Sequence, residues 1–435
     1  MILEDSTTAS AGPTVNDQSA EQTQLLQRRG TDISIITVAG VAHGVSHFFH
    51  LLIPPLFPWL MPAFALNYTE VGSAVTVFFV ISGIGQALAG LLVDRFGSLR
   101  LLFAAMLCFI GACLLLGTAQ GFVGLSLAAA LAGAGNSIFH PADFSLLNHR
   151  VSSARLSHAF AMHGLGGYIG WAIAPLFLTG IASVAGWRTA AFMAGGVALA
   201  ALVMLWAARH LLSGNRSHIA DQGVQADKGG AENSSQNIKT RVTTLEILRS
   251  GAVWICFLYF FMTTVSFGAM QNYLPTILQG LHDMVLAVAA GSLSAYMAGG
   301  AVGMVLGGFL VRRISQEKLI SFALLSSASC TLLLIAGDNW PQFGIVALVA
   351  LAGMLLGVTG PARDMMVRQS ALKQMGSSAY GRVYGFVYSG LDVGLALSPL
   401  AFGFLMNQQL WSAALTGIAA VMALSVATAW RAGSK

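Results

Sequence analysis

The sequence predicts an all-α integral membrane fold of twelve transmembrane helices arranged as two pseudo-symmetric six-helix bundles. Three observations predict it. Hydrophobic residues make up 56% of the 435 positions and charged residues only 9%, too little polar surface for a soluble chain of this length. Apolar runs of span length recur along the whole chain. A motif is also written twice: GLLVDRFGSLR at Gly90 to Arg100 returns 218 positions later as GFLVRRISQEK at Gly308 to Lys318, each a short basic loop after a long apolar helix.

About 20 apolar residues cross the hydrocarbon core of a bilayer, and twelve runs meet that length. The first, 33–60, ends in Pro54, Pro55 and Pro58. The second, 69–93, closes on the first basic loop, and 99–118 follows it. The fourth, 122–147, contains Pro141, and the fifth, 158–182, contains Gly164, Gly166, Gly167, Gly170 and Pro175. The sixth is 189–212; the seventh, 252–279, opens the second half. The eighth, 285–311, carries Gly299, Gly300, Gly303, Gly307 and Gly308 and closes on the second basic loop. The runs 317–336, 342–370, 380–405 and 410–430 complete the set, with Pro361 in the tenth and Pro399 in the eleventh. Glycine serves close helix contact in a membrane and proline serves bends. The glycine stripes read either as plain helix contacts or as smooth faces on which two halves slide.

The repeat extends beyond the basic loops. Pro141-Ala142 recurs as Pro361-Ala362 at offset 220, and WAIAP ending at Pro175 recurs as LALSP ending at Pro399 at offset 224. Duplicated multi-helix halves are the mark of secondary transporters, whose substrate site lies between the halves near the bilayer midplane.

An even number of spans puts both termini on one side, and of the 22 Lys and Arg only Arg188 lies opposite. The positive-inside rule therefore predicts cytoplasmic termini in a bacterial inner membrane. The net charge of +5 reports this topology, and no compact basic domain points to nucleic acid. Residues 1–30 lack the basic start and apolar stretch of a signal peptide and predict a disordered cytoplasmic tail. The organisation that follows is an N-terminal bundle over 31–212, a polar cytoplasmic linker over 213–250 and a C-terminal bundle over 251–435. Cys108, Cys113, Cys256 and Cys330 sit inside apolar runs and predict free thiols.

With these features in place, the chain from residue 31 onward resembles the major facilitator superfamily. Gly90, Asp94, Arg95, Gly97 and Arg100 match that superfamily's loop between its second and third helices. Within it, His43, the run Pro54, Pro55, Pro58 and the segment NSIFHPAD at Asn136 to Asp143 resemble the fosmidomycin-resistance group of drug exporters. Ser46 and His47 stand where that group has an Asn-Asp pair, and Ala142, followed by Asp143, stands where it has an acid after His-Pro. The resemblance implies a monomeric exporter of a drug-like or phosphonate-type anion, with no cofactor and the lipid bilayer as its surroundings.

Candidate site residues follow from position and chemistry. Asp94 at a helix end can be drawn to the positive N-terminus of a helix in the other half, so Asp94, Arg95, Gly97 and Arg100 with Arg382 predict a cytoplasmic latch that breaks when the cavity faces inward. Arg95 and Arg100 as plain topology anchors are the alternative. Asp143 and Arg363, equivalent under the repeat and opposite in sign, predict a pair across the same gate, and Asp364 with Arg368 a local one. Asp392 lies seven residues before Pro399, where Tyr168 is its counterpart; a carboxylate there can carry a proton between two exposures or serve as a structural acid. His43, His47 and His50, spaced i, i+4 and i+7, share one helix face. They read as binders of a proton, an organic anion or a transition metal, with packing as the alternative and neither Cys nor a carboxylate completing a metal set. His140, His163, Tyr168, Tyr296 and Tyr388 are further pocket candidates, with Gln86, Gln271 and Asn272 at comparable depth; His149 and His158 read as solvated.

These features predict a secondary transporter that couples protons to efflux of a small organic solute. Uptake of a metabolite anion is the first alternative and transition-metal transport the second. A sensor subunit would need a large ordered cytoplasmic domain, for which the linker is too short and polar. No nucleotide loop, zinc-spaced motif or nucleophile elbow points to an enzyme.

Overall fold

A backbone inside hydrocarbon has no water to bond with, so it satisfies its own polar groups along a helix. A computed structural model describes residues 15–213, 244–337, 339–375 and 380–433. Among them twelve helices are long and apolar enough to cross a bilayer. These are α1 (Arg29–His50), α2 (Tyr68–Phe96), α3 (Ser98–Thr118), α4 (Phe122–Arg150), α5 (Ser153–Ala185) and α6 (Trp187–Ala207) in the first half. In the second half they are α7 (Gly251–His282), α8 (Leu286–Leu310), α9 (Gln316–Ala336), α10 (Gln342–Val367), α11 (Gly385–Asn407) and α12 (Trp411–Ala432). Val184, Phe322 and Phe343 stand exposed on the outside, the side that meets lipid in a chain this apolar.

Two sequence expectations are corrected here. The helix that becomes α1 starts at Val15, so the second half of the expected disordered tail is helical. Its Gln, Leu, Glu and Arg are strong helix formers, and extending an existing helix needs no new nucleus. The first apolar run is also two pieces. The helix stops at His50, and the chain turns through a 3₁₀ segment at Pro54–Leu56 into a short helix, Phe57–Phe64. Pro54 and Pro55 cannot donate to the preceding turn and disfavour helix in the residue before them. In α4 the helix breaks between Asn136 and Phe139, where Pro141 removes the N–H that would reach back one turn. Most of the expected linker, 214–243, lies outside the described residues, while Thr244–Arg249 is a short helix.

The repeat read in the sequence is a repeat of packing. α1 packs on α5, α2 on α4, α3 on α4 and α6; six helices later α7 packs on α11, α8 on α10, α9 on α10 and α12. The halves meet along α2 with α11 and α5 with α8, contacts that the same shift of six exchanges. Such regularity requires backbones to approach closely, which glycine allows. A Cβ on Gly170 would run into the carbonyl oxygen of Gly44, and one on Gly303 into that of Met354. Most of the glycine stripe of α5 thus serves α1, and that of α8 serves α10, within a half. Gly164 against Met304 and Gly300 against Tyr168 are the members that face the other half. Gly97, joining α2 to α3 at φ +83°, and Gly186, joining α5 to α6 at φ +84°, occupy backbone geometry that other residues rarely adopt.

Gly170→Ala forces a methyl into a neighbouring backbone and is expected to lower stability by about 1–3 kcal/mol. Gly180→Ala, with nothing within 4 Å of the added atom, is expected to leave stability unchanged or slightly raised. Thermal unfolding of the two variants in detergent checks the pair.

Candidate functional site

Helix periodicity places His43, His47 and His50 on one face of α1, and the close α1–α5 crossing turns that face toward α4 and α5. His43 stacks on His163 with ring centroids 3.5 Å apart, meets His47 at a tilt at 4.4 Å and His140 edge-on at 5.1 Å. His47 stacks on His50 at 4.7 Å and meets Trp171 at a tilt at 4.2 Å. Five histidines thus form one continuous cluster in the first half, buried apart from partial exposure at His50 and His140.

Asp143 sits inside this cluster and is fully buried. His163 Nε2 donates to its Oδ2 at 3.1 Å, and His43 Nδ1 lies 3.2 Å from the same oxygen without hydrogen-bond geometry. The expected Asp143–Arg363 gate pair therefore does not form. The break in α4 sets the facing of everything after it, and His140 and Asp143, three apart beyond the break, share an inward side. Arg363 instead bonds Asp364 from Nε at 3.2 Å and lies over the ring of Phe260 at 4.7 Å. Tyr388 donates to the same Asp364 oxygen at 2.7 Å. The side chain of Arg368, expected to pair with Asp364, lies outside the described residues.

Asp392 lies on α11 against α2, beside Gly83, with Gln86 Nε2 at 3.5 Å from its Oδ2. Among the described residues no cation pairs with it. A second feature crosses the halves: from His47 the rings continue to Trp171, then to Phe267 of α7 at 5.1 Å and on to Tyr296 of α8 at 6.4 Å. Tyr168 meets Trp171 edge-on at 5.4 Å. Along this array both ring nitrogens of His47, Trp171 Nε1, Tyr296 OH and both amide atoms of Gln271, one turn beyond Phe267, are buried without a hydrogen-bond partner among the described residues. Asn272, by contrast, turns its amide back onto Gly268 at 2.6 Å.

The end opposite the chain termini is closed. Tyr68 N–H donates to Asn407 Oδ1 at 2.8 Å, and Asn407 Nδ2 donates to Thr69 Oγ1 at 2.8 Å. Tyr273 OH donates to Pro399 O at 2.7 Å and Thr76 Oγ1 to Ala396 O at 2.6 Å. At the other end Gly90 on α2 and Gly385 on α11 are exposed, with nothing within 4 Å of an added Cβ. Asp94, Arg95 and Arg100 of the expected latch are exposed and form no ion pair among the described residues; the side chain of Arg382 lies outside them. A pocket of about 350 Å³ beside them is lined by Gly97, Arg100, His149 and Arg150.

Sequence reasoning missed three participants. Asn136 Oδ1 accepts from His50 Nε2 at 2.9 Å, and its Nδ2 donates to Ser82 Oγ at 2.8 Å; its place one turn before His140 was the available signal. Trp171 stands in the fifth apolar run as WAIAP opens, where an aromatic residue gives no sign of which way it faces. Asn407, at the end of a span, carried no sequence signal at all.

Two repeated bundles meeting around polar groups buried at membrane depth define a secondary transporter. The chain belongs to the Major Facilitator Superfamily, whose model matches residues 39–381 and 293–434. It is 24% identical to the fosmidomycin resistance protein of Escherichia coli over 371 residues, 85% of this chain and 86% of that protein. It is equally 24% identical to the uncharacterized MFS-type transporter YfnC of Bacillus subtilis over 383 residues, 87% of each. A probable 4-methylmuconolactone transporter of Cupriavidus pinatubonensis is 32% identical over 164 residues, 36% of this chain and 38% of that one. The chain is thus a multi-pass membrane transporter of small solutes and not an enzyme.

Asn407→Ala removes bonds worth roughly 0.5–1.5 kcal/mol each from the closed end only. It is expected to shift the population toward opening there by up to about tenfold. Distances between spin labels at Ala63 and Gln408, measured by electron double resonance, should lengthen in the variant.

Proposed function

We propose that this transporter exports a small organic anion of drug-like or phosphonate type in exchange for protons, by alternating access. The observation that carries the reading is the ring array between the halves with its unpartnered buried polar atoms. An unpaired buried polar group is costly, so a solute that accepts from Trp171 Nε1, Gln271 and Tyr296 OH is stabilised there. Three donors and flat rings suit an anionic or carbonyl-bearing organic molecule better than a bare cation. His47 and His50 are the members of the histidine cluster that touch the array, through Trp171.

Asp392 is the proposed proton carrier. It is an acid within a span, lies on the helix pair that must separate when access switches, and among the described residues has the amide of Gln86 as its hydrogen-bond partner across the halves. On the same half Asp364 is bonded by Arg363 and Tyr388. Each charge crossing gains about 2.3 kcal/mol per 100 mV of membrane potential, which suffices to drive solute against a gradient. The basic residues at the end that carries the termini support a cytoplasmic placement of that end, where an exporter loads. Asp94, Arg95, Arg100 and Arg382 would close that end in the alternate state.

Efflux is favoured because the likeness to the fosmidomycin resistance protein spans most of both chains. Uptake of a metabolite anion is the second reading, motivated by the higher identity to the lactone transporter over a shorter stretch.

Proteoliposomes with an internal pH-sensitive dye are the test, with fosmidomycin and 4-methylmuconolactone as probes. The wild type is expected to move protons in step with solute; Asp392→Asn should lose that coupling by more than about tenfold while retaining solute exchange without a gradient. Undiminished coupling in Asp392→Asn would remove it from the mechanism. Separately, Gln271→Ala and Tyr296→Phe are each expected to raise the apparent KM about tenfold, the equivalent of one hydrogen bond, with little change in protein stability.

A further inference from the structure

The ring array and Asp392 leave the interior of the histidine cluster without a role. One ligating atom each from His43, His140 and His163 lies within 4.8 Å of the others. Asp143 Oδ2 adds an oxygen at 3.2 Å from His43 Nδ1 and 3.1 Å from His163 Nε2. We propose that His43, His140, His163 and Asp143 form a resident site for a divalent transition metal of the zinc type, joining α1, α4 and α5 of the first half.

The donor set is the first argument. Three imidazoles and one carboxylate suit a four-coordinate zinc-type ion rather than magnesium or calcium, which take oxygen. Spacing is the second. With metal–ligand bonds of about 2.0–2.1 Å, the edges of a tetrahedron are about 3.3 Å, close to both observed contacts with Asp143. The His140-x-x-Asp143 pair follows the i, i+3 spacing by which helix bundles project two ligands inward.

The third argument is what hydrogen bonding leaves unexplained. His43 is almost wholly buried, yet its Nδ1 points at Asp143 without the geometry of a hydrogen bond, and Asp143 Oδ1 is buried with no partner. A shared metal bound at Oδ2 would satisfy His43 Nδ1, which a hydrogen-bonded relay leaves unsatisfied, and one held by both carboxylate oxygens would satisfy Oδ1 as well. His140, partly exposed, marks the access route. All four ligands belong to one bundle, so the relative motion of the halves does not pull the site apart. That is why the ion is assigned as resident and not as cargo, in contrast to the transition-metal transport weighed from the sequence.

The full-length protein, purified in detergent and stripped with chelator, is the material for the test. Zinc alone is expected to bind at about one ion per chain and to raise the unfolding temperature, and cobalt to give the visible absorption bands of tetrahedral coordination. His140→Ala and Asp143→Asn should each weaken zinc binding by more than about 100-fold, beyond the loss typical of outer-shell changes. His149→Ala, an exposed histidine outside the cluster, should bind like the wild type. If Asp143→Asn fails to fold, the partly exposed His140 decides the matter. Absence of stoichiometric binding by the wild type, or binding as tight as the wild type's in both ligand variants, would overturn the site. Accumulation of zinc inside proteoliposomes would overturn its residence. Asp392→Asn should bind zinc normally, so the failure of proton coupling and the failure of the metal site are separate results.

Discussion

The close crossing of α1 over α5 is the constraint on which the first half depends. Gly44 and Gly170 bring two backbones into contact, Gly40 and Gly166 repeat the approach one turn away, and the ring of His47 lies where a side chain on Gly167 would be. Without that approach His43 and His47 would stand a side chain's width from α5, and neither the stack on His163 nor the contact with Trp171 could form. Packing here does more than stabilise. It sets the distance between titratable groups, and in a medium of low polarity that distance decides which of them can share a proton, an ion or a solute.

Repetition of the backbone with divergence of its chemistry explains why one fold holds two unlike polar centres. α7 crosses α11 as α1 crosses α5, with Gly390 against Phe257 and Gly394 against Thr264. Where the first half presents imidazoles and a buried acid, the second presents Asp392 at the interface and the set of Arg363, Asp364 and Tyr388. The shared geometry puts both centres within the spans, and the divergence gives them different chemistry. A symmetric pair of centres would offer no directional difference between the two access states.

How much of this was legible follows from what sequence encodes. Span length and charge placement act locally, so the twelve crossings and the basic loops at Asp94 and Arg312 could be read directly. The His43, His47 and His50 face was legible because its spacing is that of a single helix. Asp143 was misplaced because the repeat aligns it with Arg363, and alignment says nothing about rotation after a break such as the one between Asn136 and Phe139. The facing of Gln86 and Gln271 depends on how α2 and α7 are rolled, which tertiary glycine contacts fix and no single-helix pattern records. Asn407 was invisible for a related reason: a polar residue at a span end looks like any surface residue until its partner, 339 positions away at Tyr68, is known.

The two ends of the molecule complete the account. Closure opposite the termini rests on side-chain and backbone hydrogen bonds among Tyr68, Thr69, Asn407, Tyr273 and Pro399, short-range contacts that fail together once the helices part. At the other end Asp94, Arg95 and Arg100, whose charges act over longer range, are exposed. In the proposed cycle a gate of clustered hydrogen bonds at one end alternates with one of screened charges at the other, each a discrete arrangement. Asp392 and Gln86 lie between them on α2 and α11, where either gate's release changes what surrounds the carboxylate. A proton there can therefore bias the choice of gate without touching either one.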